Sequence, residues 1–164
     1  MTAPDFATIR RILAVDPVWS AYALADLQPA FLPYTHWSIG QSAAGEGLAL
    51  LFTALTPPIL LTVGPAAAVA GALAQAELPA QVFISAQEAH YPALAAWYDF
   101  GDRIHPMWRM TPKEKDQVSL PKLKALVRLS PTHGEQLKAL YSQGGEFAPS
   151  FFDPYQLQDG VYFG

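Results

Sequence analysis

The stretch LALLFTALTPPILLTV, residues 48–63, constrains the fold more than any other part of this chain. It falls short of the roughly 20 apolar residues that span a bilayer, and Pro57-Pro58 interrupt it. Two prolines in succession end any ladder of backbone hydrogen bonds, so the run reads as two strands, about Leu48–Leu55 and Ile59–Val63. Leu48–Phe52 is apolar at every position, which suits a strand covered on both faces and therefore central. A third strand candidate, about Thr35–Ser42, precedes them across the glycine-containing turn AAGEG.

The flanking segments have helical period. Phe6, Ile9, Ile12 and Leu13 recur at three and four and place a stripe on one helical face. Asp16-Pro17 restarts the pattern, Asp as an N-cap and Pro in a first turn where its missing N–H costs nothing. The second helix is expected to face inward through Val18, Tyr22 and Ala25 and to run to about Leu27. Gly64-Pro65 opens an alanine-rich helix to about Leu78, with Ala66, Val69, Leu73 and Ala76 on its stripe. A strand at 81–86, a helix with Tyr91, Leu94, Ala95 and Tyr98 inward, and a strand at about His105–Thr111 complete a first set of elements. The order, ααβββαβαβ, predicts an α+β fold: a mixed, mostly antiparallel sheet flanked by helices in three layers.

Lys113, Glu114, Lys115, Asp116, Lys122 and Lys124 crowd into one segment bracketed by prolines, which marks a charged linker at 113–124. Beyond it the pattern begins again. Residues 124–130 read as a strand, Pro131–Ser142 as a helix with Leu137, Leu140 and Tyr141 inward, and 149–160 as a second short helix. Val161, Tyr162 and Phe163 open a further strand. The expected organisation is a first unit at 1–112, the linker, and the opening of a second unit at 125–164. The β-α-α-β order of the second repeats the α-α-β opening of the first.

Composition narrows the class. An apolar share of 51% with 15% charged residues describes a chain that buries a sizeable core. The net charge of −4 comes with no clustered basic face, so nucleic acid is not an expected partner. There is no cysteine, which excludes disulfides and thiolate metal sites, and MTAPDFATIRR is not a signal peptide. A cytoplasmic protein with no membrane partner is the resulting expectation.

His36, His90, His105 and His133 show no metal-ligand spacing and read as surface or capping residues, so no metal is expected. Ser20, Ser38, Ser85 and Ser150 lack the Gly-x-Ser-x-Gly context of a hydrolase. Trp19, Trp37, Trp97 and Trp108 fall where core or inter-unit packing would put them, although Trp97 and Trp108 flank DFGD and allow a small aromatic pocket there.

The succession of a strand, two helices, three antiparallel strands and then helix-strand-helix-strand resembles the GNAT superfamily, the acetyl-CoA-dependent N-acetyltransferases. LVRLSPTHGEQLKALY and SFFDPYQLQDGVYFG look like the first strand, two helices and second strand of the catalytic half in bacterial members built from two such units, whose preceding unit is commonly degenerate. The resemblance covers the whole chain by element order and is similar in sequence over about 125–164. It implies acetyl transfer from acetyl-CoA to a small-molecule or peptide amine by the complete enzyme, with this chain its N-terminal portion.

The family's pyrophosphate motif, Arg/Gln-x-x-Gly-x-Gly/Ala, is not matched. At the equivalent place, LLTVGPAAAVAGAL (60–73) has one glycine before the helix, then Pro65, and no Arg or Gln at its entrance. QSAAGEG (41–47) reads as a hairpin turn. No cofactor-binding residue is therefore expected here, the catalytic residues stay unassigned, and the chain alone is expected to be inactive. By resemblance Phe151, Phe152, Tyr155 and Gln156 would line the acceptor side of the cleft. From the residues alone, the two Phe and Tyr155 read more simply as core anchors of a short helix. The alternative to an enzyme is a non-catalytic binding or dimerisation module with the same fold, forming a homodimer through the terminal strand Val161–Phe163.

Overall fold

A computed structural model describes residues 5–109, 111, 127–144 and 156–159. The chain divides into two compact units, Met1–Thr111 and Pro112–Gly164. The fold is α+β, with a mixed four-stranded sheet carried by the first unit.

Helix α1 (Phe6–Leu13) starts at Asp5, whose Oδ1 accepts from the amides of Ala7 at 3.0 Å and Thr8 at 3.3 Å. Those amides have no intrahelical partner, so the carboxylate satisfies them and suits the positive end of the helix. Ile9, Ile12 and Leu13 are buried as their spacing requires. Asp16 caps the next turn by accepting from the Trp19 amide at 2.9 Å. Helix α2 (Ala21–Ala25) then presents the opposite face from the one expected. Val18, Tyr22 and Ala25 are exposed, while Ser20, Ala23 and Leu27 are buried. The chain from Ser20 to Leu27 has a second apolar stripe, and that stripe meets the sheet because Trp19 beside it is anchored there.

Strands β1 (Thr35–Ser42), β2 (Gly45–Phe52) and β3 (Ile59–Val63) form an antiparallel meander. The turn expected between Gln41 and Gly47 is the two-residue connection Ala43-Ala44. After β3 the chain crosses through α3 (Ala66–Leu73) to β4 (Phe83–Ser85), which pairs parallel to β3. A short 3₁₀ turn, Glu88–His90, leads into α4 (Tyr91–Leu94), with Pro92 in its first turn.

Both faces of the sheet are covered, which explains the unbroken apolar run of β2. Leu48 and Leu50, with Leu61 and Val63, pack against Ile9, Leu13, Ala23 and Leu27. Ala49, Leu51 and Leu60 pack on the other side against Val69, Ala72, Leu73 and Leu94. Helix α3 lies unusually close to β1 at Gly40. A Cβ on Gly40 would stand 2.5 Å from the Ala72 amide nitrogen and closer still to the Ala68 carbonyl oxygen. Only glycine fits there.

The strand expected at His105–Thr111 is not formed among the described residues. Pro106 removes a ladder donor, and Arg109 is held elsewhere, against Trp19. In the second unit, the segment expected as a strand shows only an isolated bridge residue, Arg128, over the described 127–130. The helix expected at Pro131–Ser142 begins with a 3₁₀ turn, Pro131–His133, and continues as α5 (Gly134–Ser142). Leu137 and Tyr141 are half-buried as expected, whereas Leu140 is exposed. Helix α6 (Gln156–Asp159) falls within the second predicted helix, and Leu157 on it is buried. Residues 161–163 lie outside the described residues.

Candidate functional site

The end of β3 is where chemistry-bearing residues converge. Beyond Leu61 the ladder to β4 stops, and the next residue, Thr62, is wholly buried and bonded on two sides. Its carbonyl accepts from the Trp19 indole Nε1 at 2.9 Å. Its hydroxyl meets His90 Nδ1 at 2.8 Å. The other ring nitrogen of His90, Nε2, lies 2.8 Å from the carbonyl oxygen of Gly64.

The proton positions follow from these partners. A carbonyl oxygen only accepts, so Nε2 must carry the hydrogen and donate to Gly64. Nδ1 is then the acceptor of a neutral imidazole, and the Thr62 hydroxyl donates to it. Burial, which penalises the charged ring, pushes the His90 pKa below the usual imidazole value, against the opposing pull of the Gly64 carbonyl. Both nitrogens are committed and the side chain is 1% exposed, so His90 has no lone pair to offer a substrate. It is a clasp between the start of α4 and the β3–α3 turn. His90 therefore departs from the surface or capping role expected for it: it is the buried histidine of the described chain, set on an apolar face by Leu94 four residues on. His36 and His105 are exposed as expected, and His133 caps its own turn, accepting from the Ser130 amide at 3.0 Å.

Gly64 itself is in the left-handed region at φ 107°, where a side chain would be strained. A Cβ there would lie 2.6 Å from the Gly47 Cα and 2.7 Å from the Glu46 carbonyl oxygen. Pro65 is the N-cap of α3, extended at φ −61° and ψ 138°, and makes no side-chain cap. The first turn of α3 carries only alanines, and Pro65 contributes no N–H. Glu46 of β2 is engaged by Arg11 of α1 in an ion pair. The β3–α3 turn is thus crowded at Gly64 and lacks one amide at Pro65, while the first-turn amides of α3 take no side-chain cap.

The aromatic depression expected beside DFGD exists in a different form. Tyr91, Ala95, Ala96, Trp97, Tyr98, Asp99 and Phe100 line an open hollow of about 390 Å³. Tyr91 and Phe100 stack at 5.1 Å and 34°, and Trp97 stands half out of the surface. Trp108 is not part of it and is 91% exposed, contrary to a packing role. Trp19 and Trp37 do pack against the core.

Of the residues expected on an acceptor side, Phe151, Phe152 and Tyr155 lie outside the described residues. Gln156 opens α6, and its side chain is likewise outside them. Among the described residues no three His, Asp or Glu side chains group as metal ligands. No helix among them is long and apolar enough to cross a membrane. No family model, no curated protein and no solved structure matches this chain.

Proposed function

We propose that this chain is the N-terminal portion of a GNAT-type N-acetyltransferase, a cytoplasmic enzyme moving an acetyl group from acetyl-CoA to an amine. The first unit is a non-catalytic copy of the fold, and residues 125–164 open the catalytic unit. In the complete enzyme the amine nitrogen attacks the thioester carbonyl, a base takes the amine proton, and the carbon–sulfur bond breaks to release coenzyme A. Phe151, Phe152, Tyr155 and Gln156 contribute to the acceptor side.

One observation carries the reading. Two helices, an antiparallel meander, a crossover helix and a strand parallel to the last meander strand follow one another in the order the resemblance implies, up to β4 and without the closing strand it also implies. The β3–α3 turn supports a non-catalytic first unit. A pyrophosphate cradle needs free amides and room at the helix start. Here Pro65 lacks the amide, Gly64 is pressed against Gly47, and His90 occupies the Gly64 carbonyl.

The test has two parts. The 164-residue chain, assayed for coenzyme A release with acetyl-CoA and a panel of polyamines, amino acids and lysine peptides, is expected to show no turnover; measurable turnover refutes the assignment. The source gene read past the codon for Gly164 is expected to continue through two strands to Arg/Gln-x-x-Gly-x-Gly/Ala. A frame without that motif removes the catalytic reading and leaves a binding module of the same fold.

A further inference from the structure

Strand β1 is an edge of the sheet, and its hydrogen-bonding pattern can be read from three facts. The Thr53 amide donates to the Tyr34 carbonyl at 2.9 Å. A two-residue turn joins Ser42 to Gly45. The Ile39 carbonyl is reached from outside the ladder by the Gln75 side-chain amide at 3.2 Å. In an antiparallel pair the bonded and non-bonded residues alternate. Residues 34, 36, 38, 40 and 42 therefore bond to β2, and Thr35, Trp37, Ile39 and Gln41 turn their N–H and C=O groups away from it. Among the described residues the Ile39 carbonyl meets Gln75 and the Thr35 amide donates to the Leu32 carbonyl, while both backbone groups of Trp37 and Gln41, the Ile39 amide and the Thr35 carbonyl have no partner.

An open edge of this length is ordinarily guarded by a lysine, a proline, a bulge or brevity. The other edge is guarded by brevity, since β4 has three residues. β1 has none of these protections. It is eight residues long, THWSIGQS, with no Asp, Glu, Lys, Arg or Pro, and its register with β2 is one-to-one throughout.

We propose that the outward edge of β1 pairs antiparallel with β1 of a second copy of this chain, joining two sheets into one. Three features select a second copy. Pairing about Ser38 sets each outward-facing residue opposite another, Trp37 against the partner's Ile39 and Thr35 against the partner's Gln41, so donors meet acceptors over Trp37–Gln41, and at Thr35 the carbonyl is left to accept while its amide stays on Leu32. The strand carries no formal charge, so like meets like with no repulsion. Trp37 with Ile39 is an aromatic and β-branched cross-strand pair, a kind that stabilises sheets. The arrangement closes on itself as a two-fold dimer and cannot grow into a filament. Gln75 releases the Ile39 carbonyl without being stranded, because the same nitrogen also donates to the Gly71 carbonyl at 3.0 Å. The inference is independent of the acetyltransferase reading, and it uses a different strand from Val161–Phe163.

The test is amide hydrogen exchange of the full chain over a hundredfold concentration range, with molecular mass by light scattering. Exchange at the amides of Trp37, Ile39 and Gln41 is expected to slow as a dimer forms. Gln41→Lys, which adds a charge at the exposed end of the edge, is expected to weaken the dimer at least tenfold. Deleting residues 160–164 is expected to leave it intact. A monomer with fast exchange at every concentration overturns the proposal. So does a monomer with these amides protected throughout, which would mean the chain covers its own edge. A dimer that exchanges fast at these amides, or that is lost on deleting 160–164, assigns the contact to another surface and overturns it equally. The exchange measurement needs no variant, so a misfolded Gln41→Lys does not blunt the test.

Discussion

The guanidinium of Arg109 lies 4.4 Å from the centre of the Trp19 ring, although ninety positions separate the two residues. It also lies 5.1 Å from the Tyr22 ring and donates through Nη1 to the carbonyls of Val18, at 3.2 Å, and Trp19. Trp19 in turn holds Thr62, and Thr62 holds His90. The late segment of the first unit is thereby tied to the helix pair that covers its sheet.

Arg109→Ala is expected to lower unfolding stability by about 1–2 kcal/mol, combining a cation–π contact with charged hydrogen bonds to carbonyls. Arg109→Lys should recover only part of that loss, because the ammonium keeps the charge and loses the planar fork. Urea denaturation followed by tryptophan fluorescence measures both. Equal stability of Arg109→Ala and the parent would show that the contact contributes nothing.

The clasp at His90 makes a signed prediction about pH. The folded imidazole takes up a proton less readily than the unfolded one, whose pKa is about 6.5. Below that value the unfolded chain binds more protons than the folded one, so stability falls as the pH drops below about 6.5 and levels off once the folded ring is protonated as well. The stability difference between the parent and His90→Gln is expected to shrink between pH 7.5 and 5. A difference independent of pH would contradict the assignment. Thr62→Val keeps the shape but leaves Nδ1 without its donor, and should cost about 1–3 kcal/mol at pH 7.5.

Asp26, at the end of α2, has the opposite sign from most carboxylates. Partial burial raises its pKa to about 6. The folded chain binds more protons than the unfolded one between about 4 and 6, so this group's contribution to stability declines as pH rises through that window. Asp26→Asn is expected to stabilise the chain at pH 7 by about 1 kcal/mol, a figure reduced because the carboxyl is partly solvated. The gain should vanish by pH 3.5. Thermal melts at the two pH values decide it.

Close approach of α3 to β1 predicts the largest single effect. Gly40→Ala puts a methyl group into backbone atoms that cannot move independently, Ala68 O and Ala72 N. A loss of about 3 kcal/mol or more is expected, since overpacking against main chain has no rotamer escape. Gly71→Ala, whose Cβ would meet its nearest neighbour, the Gly40 Cα, at an ordinary 3.7 Å, is the control and should be nearly neutral. Comparable melting temperatures for the two variants would sink the argument.

Much of the sheet was legible because its signals are local. The alternation and continuity of apolar residues set the places of β1, β2 and β3, although β2, expected at about Leu48–Leu55, runs Gly45–Phe52, because Gly45, Glu46 and Gly47 pair with β1 and leave Ala43-Ala44 as the turn. α1 was readable at Ile9, Ile12 and Leu13, although Phe6, expected on the same stripe, is exposed at the helix start. The face of α2 was not, because the residues from Val18 to Leu27 contain two stripes, and only the anchoring of Trp19 on the β3 backbone chooses between them. The strand expected at His105–Thr111 failed for a related reason: Pro106 removes a ladder donor, and Arg109 is held by the Trp19 and Tyr22 rings. At the candidate site, the lone glycine and Pro65 at the helix entrance were visible in the chain, as was the lack of Arg or Gln. The role of His90 was not, because nothing in HYPAL says that a ring nitrogen meets Thr62, twenty-eight residues away.

By itself, the sequence determined the α+β class, the meander, the crossover through α3 and the absence of the pyrophosphate motif, all of which follow from periodicity and from residue types acting on their own neighbours. Only the tertiary structure decided which face of α2 is buried, that His90 is a neutral clasp rather than a surface or capping residue, and that β1 is the long outer strand of the sheet among the described residues. Each of those depends on contacts between residues tens of positions apart, where the free energy of burying a group is set by the partner that meets it.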